Sequence, residues 1–106
     1  MNEKARARYE ARAKIIKALA HPTRLYIVDK LAEQEHCVCE LTEMVGADTS
    51  TVSKHLSVLK NAGIITDRKH GTQVYYSLKV PCALDILTCT DLVLQAVLEE
   101  QLALIR

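Results

Sequence analysis

Apolar residues return at helical spacing along most of the chain and at a spacing of two along one stretch. Between residues 4 and 19, Tyr9, Ala13, Ile16 and Ala20 make a stripe that Ile15 and Leu19 widen. In an Ala-rich segment of high helix propensity, that stripe predicts a first helix. His21-Pro22 ends it. A proline disfavours helix in the residue before it and suits the first position of the helix after it. A second helix is predicted from about Pro22 to Gln34, with Leu25, Val28, Leu31 and Ala32 on one face. EHCVC reads as a short connection. CELTEMVG reads as a short third helix that buries Leu41, Met44 and Val45 and stops at Gly46. In the ADTS turn, Asp48, Thr49 and Ser50 are all possible N-caps. A fourth helix then runs from about Ser50 to Ala62, with Val52, Leu56 and Leu59 facing a core.

After Gly63 the period changes. IITDRK and TQVYYSL alternate as strands do, and His70-Gly71 between them signals a hairpin. Pro81 breaks the second strand and opens a last helix over about 81–105. Leu84, Leu87, Leu94, Val97, Leu98, Leu102 and Ile105 make that helix densely apolar, so it needs a cover, and a second copy of the chain is the expected one. Two helices joined by the tight VGADTS turn and followed by a hairpin describe a winged helix-turn-helix. The expected fold is mainly α (α+β): five helices and a two-stranded wing in one domain over 1–106. The terminal helices are expected to form a dimer interface.

Composition narrows the class. The 106 residues, 49% hydrophobic and 25% charged, exclude a disordered chain, a collagen-like repeat and a mucin-like stalk. No apolar run approaches the ~20 residues of a membrane span. MNEKARARYEARAK is basic without an apolar core, so it does not read as a secretory signal, and the expected location is cytoplasmic.

Net charge is only +1, but it is segregated. Residues 1–20 carry +4, 21–47 carry −3, 48–79 carry +3 and 80–106 carry −3. Basic blocks suit a nucleic-acid partner. In a helix-turn-helix the second helix enters the major groove. Here the face opposite Val52, Leu56 and Leu59 carries Ser50, Thr51, Ser53, Lys54, Ser57 and Asn61, with His55 at its border. Hydroxyls reach base edges and phosphates, and Lys54 can neutralise a phosphate or bond a guanine. The projecting DRKHGTQ loop places Arg68, Lys69, His70 and Gln73 where a wing clasps the backbone or enters a minor groove.

Over about residues 14–79 the chain resembles the ArsR/SmtB family of bacterial repressors. The resemblance is carried by A-HPTRL, CVCEL, STVSKHL, LKNAGI and the wing G-x-x-VYYSL. It implies a homodimeric repressor on a palindromic operator, released when an inducer binds, with the last helix and the first at the dimer interface.

Cysteines lie at 37, 39, 82 and 89. In a reducing compartment a close pair is metal-binding or redox-active sooner than a structural disulfide. Thiolates at Cys37 and Cys39 would select soft ions: As(III), Sb(III), Cd(II), Pb(II), Cu(I) or Zn(II). Inside a regular helix, residues i and i+2 point ~200° apart, so both sulfurs meet one ion only if Cys37 lies outside the third helix or its first turn distorts. In the family, a C-V-C segment at this place resembles the As(III)/Sb(III) site and the cadmium/lead site. The best-known arsenic pattern has a third nearby cysteine where this chain has Thr42. A third ligand must come from Cys89, Cys82 or His36. Cys82 and Cys89 share a helix face but sit about 10 Å apart along the axis, too far to chelate one ion together. The family's zinc sensors use His with carboxylates on the last helix. That helix has Asp85, Asp91, Glu99 and Glu100 here but no His, which argues against such a site.

The inducer is therefore expected to be a thiophilic metal(loid), As(III) first. One alternative keeps the repressor and replaces the ion with persulfide or oxidant, closing Cys37 or Cys39 onto Cys82 or Cys89. An enzyme is not expected: no nucleophile–base constellation, phosphate-cradling Gly loop, HExxH or βαβ pattern is present. A metallochaperone would leave the helix-turn-helix and wing unexplained.

Overall fold

The computed structural model describes all residues, 1–106. Helix α1 (Glu3–Leu19) is N-capped by the Asn2 side chain, and α2 (Pro22–Glu33) begins with proline behind a His21 cap, as the His-Pro signal requires. A short strand β1 (His36–Cys37) leads into α3 (Val38–Val45), and α4 (Thr49–Asn61) follows. The wing is β2 (Ile65–His70) and β3 (Gln73–Leu78), and α5 (Ala83–Ala103) closes the chain. Helix α5 starts two residues later than the proline suggests.

The sheet has three antiparallel strands in the order β1-β3-β2, where sequence patterning indicates a two-stranded wing. The third strand is hidden in EHCVC, which reads as a connection because two residues are too few to show alternation. Pairing His36 with Tyr76 and Cys37 with Tyr75 makes it a strand. Gly46 stops α3 in the left-handed region at φ 77°. His70 pairs with Gln73 across the two-residue loop Gly71-Thr72, and Gly71 alone has positive φ (65°), the pattern of a type II′ turn.

One apolar cluster joins the helices to the base of the wing: Leu19, Ile27, Val28, Leu31, Leu41, Val52, Leu56, Leu59, Ile64 and Ile65, with Ala18 and Ala83. The inward face expected for α4 is fully buried. Leu56→Ala is expected to cost about 2–5 kcal/mol, because the side chain has no solvent exposure and the cavity cannot collapse fully. Urea unfolding at fixed protein concentration checks this; a loss below about 1 kcal/mol would mean that α4 is loosely seated.

The outer helices behave differently. On α1, Tyr9, Ile15 and Ile16 stand half-exposed, and only Ala18 and Leu19 are buried. On α5, only Ala83 is buried. The radius of gyration is 16.9 Å, against about 13 Å for a compact chain of ~100 residues. The excess reflects two helices projecting from the core with their apolar faces uncovered.

Candidate nucleic-acid interface and thiol pair

Helix α4 is aimed by its cap. Asp48 Oδ1 accepts from the Thr51 amide (2.7 Å) and from the Ser50 hydroxyl (3.1 Å). Those bonds, led by Thr51, hold the Asp48 carboxyl below its ordinary value. Ser50 is therefore partly spent on the cap. Thr51, Lys54 and Ser57 are exposed beside it, Ser53 is half-buried, and Lys54 makes no ion pair. His55 turns inward. Its ring lies 4.4 Å from that of His21, and its Nδ1 is 3.5 Å from Arg24 Nη1. Burial, with His21 and Arg24 alongside, holds this imidazole below its ordinary value, so it is neutral at pH 7. Arg24 Nε is buried without a partner, and His55 ties α4 to the start of α2. Asn61 lines a groove with Ala11, Ile15 and Val58.

On the wing, Lys69 and Gln73 are exposed at the hairpin end. Arg68 is engaged. Its guanidinium lies 5.2 Å from the Tyr75 ring centroid and donates through Nε (3.2 Å) and Nη2 to the Glu35 carboxylate. The Arg68 hydrogen bond holds Glu35 below its ordinary value.

The cysteine pair sits where β1 becomes α3. Cys37 is the N-cap, extended at φ −78° and ψ 164°, and Cys39 lies inside the first turn of the helix. Because Cys37 lies outside the helix, the two sulfurs converge and are joined as a disulfide, with Cα atoms 5.4 Å apart. Cys37 Sγ also accepts from the Glu40 amide (3.4 Å), while Glu40 Oε1 accepts from the Cys37 amide (3.1 Å). This is a capping box with sulfur in place of the usual hydroxyl. Glu40 Oε2 lies 3.3 Å from Nδ1 of the buried His36, which commits that nitrogen to the carboxylate. Cys37 is buried, and Cys39 is exposed with its sulfur 3.6 Å from Gln73 Oε1. Cys82 and Cys89 are exposed free thiols on and before α5. No three His, Cys, Asp or Glu side chains are grouped to hold a metal, so one chain does not bring Cys82 or Cys89 to the Cys37–Cys39 pair.

Sequence reasoning did not find Glu35, Arg24 or His21 as neighbours of these surfaces. Only the A-HPTRL stretch, through the proline and its cap, hints at the last two.

The family model "Bacterial regulatory protein, arsR family" matches residues 21–67, from the start of α2 through α4 into the wing. An uncharacterized HTH-type transcriptional regulator of Mycobacterium tuberculosis is 35% identical over 98 residues, spanning 92% of this chain and 86% of that protein. The chain belongs to the ArsR/SmtB family. A cadmium resistance transcriptional regulatory protein (CadC homolog) of Staphylococcus aureus is 48% identical over 67 residues, 62% of this chain and 55% of its own. The solution structure of a homodimeric winged helix-turn-helix DNA-binding domain from Mycobacterium bovis, a possible ArsR-family regulator, superposes with a TM-score of 0.79. Its identity is 29%, with 94% of this chain and 93% of that one covered. This ArsR/SmtB protein is a DNA-binding transcriptional regulator, and its relatives and structural neighbours are regulators, not enzymes. No helix is long and apolar enough to cross a membrane.

Proposed function

We propose that two copies of this chain hold a palindromic operator and release it when a thiophilic metal(loid), As(III) or Sb(III) before Cd(II), Pb(II) or Zn(II), engages Cys37 and Cys39. The convergence of the two sulfurs at the first turn of α3 carries this reading. The helix that follows α3 is the reading helix, so a change at that turn is one element from the DNA. Once reduced, the pair fits a soft ion in kind and supplies two thiolates. A third donor has to come from outside the single chain: Cys82 or Cys89 of a second copy, or a free thiol. Release needs the ion to favour the non-operator conformation, typically by ~1–3 kcal/mol of coupling. The 48% identity to a cadmium resistance regulator supports a metal(loid) signal of this kind.

A second reading rests on the same pair. The Cys37–Cys39 disulfide can itself be the induced state, with a two-electron oxidant or persulfide as the signal. Within one chain that bridge would join Cys37 to Cys39, not either of them to Cys82 or Cys89.

On the DNA side, Thr51, Ser53, Lys54 and Ser57 face the groove, Ser50 and His55 position α4, and Lys69, Arg68 and Gln73 serve the wing. Lys54→Ala is expected to weaken binding and to lower the slope of log K against log salt by about 0.9 for each phosphate that Lys54 neutralises. An unchanged slope would mean that Lys54 does not meet a phosphate.

Operator release followed by fluorescence anisotropy tests the reading. The reduced protein, on DNA selected from random sequence, is titrated with As(III), Cd(II), Zn(II) and a persulfide donor. Near-stoichiometric release by As(III) with little response to persulfide is expected. Release by the persulfide donor alone would turn the pair into a redox switch.

A further inference from the structure

The thiol pair and the wing are physically tied at both strands of the hairpin. Through β1, Cys37 pairs with Tyr75, and Tyr75 pairs with Arg68, so the three residues form one row across the sheet. Glu35, the residue before β1, reaches over to Arg68 and takes two of its N–H donors. On the other strand, Gln73 Oε1 meets Cys39 Sγ at 3.6 Å. Arg68 is thus occupied by an internal carboxylate while the two sulfurs are together.

We propose that Glu35 is a positioning residue that couples the Cys37–Cys39 pair to the wing. With the sulfurs held together, Glu35 keeps the Arg68 guanidinium for itself; with the thiols apart, Arg68 turns to a DNA phosphate. The proposal rests on the reading of Cys37 and Cys39 as the sensing pair and Arg68 as a DNA contact, and it names the route between them.

The physical case is competition. A guanidinium that gives a carboxylate two parallel N–H bonds has its fork filled, and a phosphate requires the same fork. The Arg68 and Glu35 side chains are 52% and 39% exposed, so the pair adds little to folding. What it controls is the availability of Arg68. β1 is held by only two residue pairs, and Cys37 is both one of them and the cap of α3. Moving its sulfur therefore moves the segment that carries Glu35.

The test compares full-length wild type, Glu35→Gln and Arg68→Ala on one operator, reading affinity and salt slope. Each is measured reduced, then with the pair closed by arsenite, and separately by hydrogen peroxide. In the peroxide arm two thiols give up two electrons and two protons, one S–S bond forms, and the peroxide leaves as two waters. In wild type, closing the pair should weaken binding and flatten the salt slope by about 0.9 for each Arg68 withdrawn. Glu35→Gln should keep the steep slope in both forms and forfeit most of the affinity change, with an unaltered melting temperature. Arg68→Ala should show the flat slope from the start. If Glu35→Gln responds as wild type does, the route through Glu35 is wrong and the sensing pair stands. If wild type responds to neither reagent, the sensing pair itself is wrong and the route falls with it.

Discussion

The Cys37→Ser/Cys39→Ser variant is expected to bind operator DNA as the reduced wild type does and to ignore inducer. The first half follows from the cap. Cys37 caps α3 through its sulfur, and serine is among the best N-caps, so its hydroxyl takes the Glu40 amide and the capping box with Glu40 survives. Cys39 is exposed and lies outside the apolar cluster, so its replacement leaves the core intact. The second half follows from the donors. A neutral hydroxyl is a poor ligand for a soft ion and cannot form a disulfide, so both readings of the signal lose their chemistry together. Wild type is expected to drop about 5- to 150-fold in operator affinity on induction, the usual range of such coupling. In the same anisotropy titration the variant should respond by well under the lower end of that range. Retained induction would place the sensing site outside Cys37 and Cys39. Failure to bind DNA without inducer would mean that Cys37 is needed for the position of α3 itself.

Much of the fold is legible in the residues, because each helix carries its own stop and start. His21-Pro22, Gly46, Asp48 and Gly63 fix boundaries locally, and Val52, Leu56 and Leu59 fix the inward face of α4. The pairing of β1 is not local. His36 and Cys37 become a strand only because Tyr75 and Tyr76, far along the chain, present a free edge. The site divides in the same way. Hydroxyls and lysine on α4 can be placed from helical spacing alone. That His55 turns toward His21 and Arg24, or that Arg68 is held by Glu35, depends on side chains meeting from distant elements. The geometry of Cys37 and Cys39 lies between these cases. Spacing shows what must happen for the sulfurs to meet, and the extended backbone at Cys37 is how it happens.

Leu94→Glu with Leu98→Glu is expected to convert a dimer into monomers and to abolish tight operator binding. On α5, Leu92, Val93, Leu94, Val97 and Leu98 are 45–67% exposed in the single chain, and on α1 Tyr9 and Ile16 are equally bare. Val93, Leu94, Val97 and Leu98 fall on one side of α5 at helical spacing, and an exposed apolar patch of this kind marks an interaction surface. Burying one leucine fully is worth about 1.5–3 kcal/mol, so several on each of two copies suffice for a stable pair. In a two-fold interface each substitution appears twice. Four carboxylates would then enter an apolar seam in a segment that already carries −3 over residues 80–106. Neither leucine belongs to the buried cluster, so the helix-turn-helix should keep its fold and its far-ultraviolet dichroism apart from fraying in α5. Sedimentation should report the 11.8 kDa of one chain. Affinity should fall by about 10²–10⁴-fold, because the second half-site is no longer engaged at the high effective concentration of a linked partner. A variant that still sediments as a dimer would place the interface elsewhere, the groove between α1 and α4 being the next apolar surface. A clean monomer that still binds the full operator tightly would show that one reading head is enough.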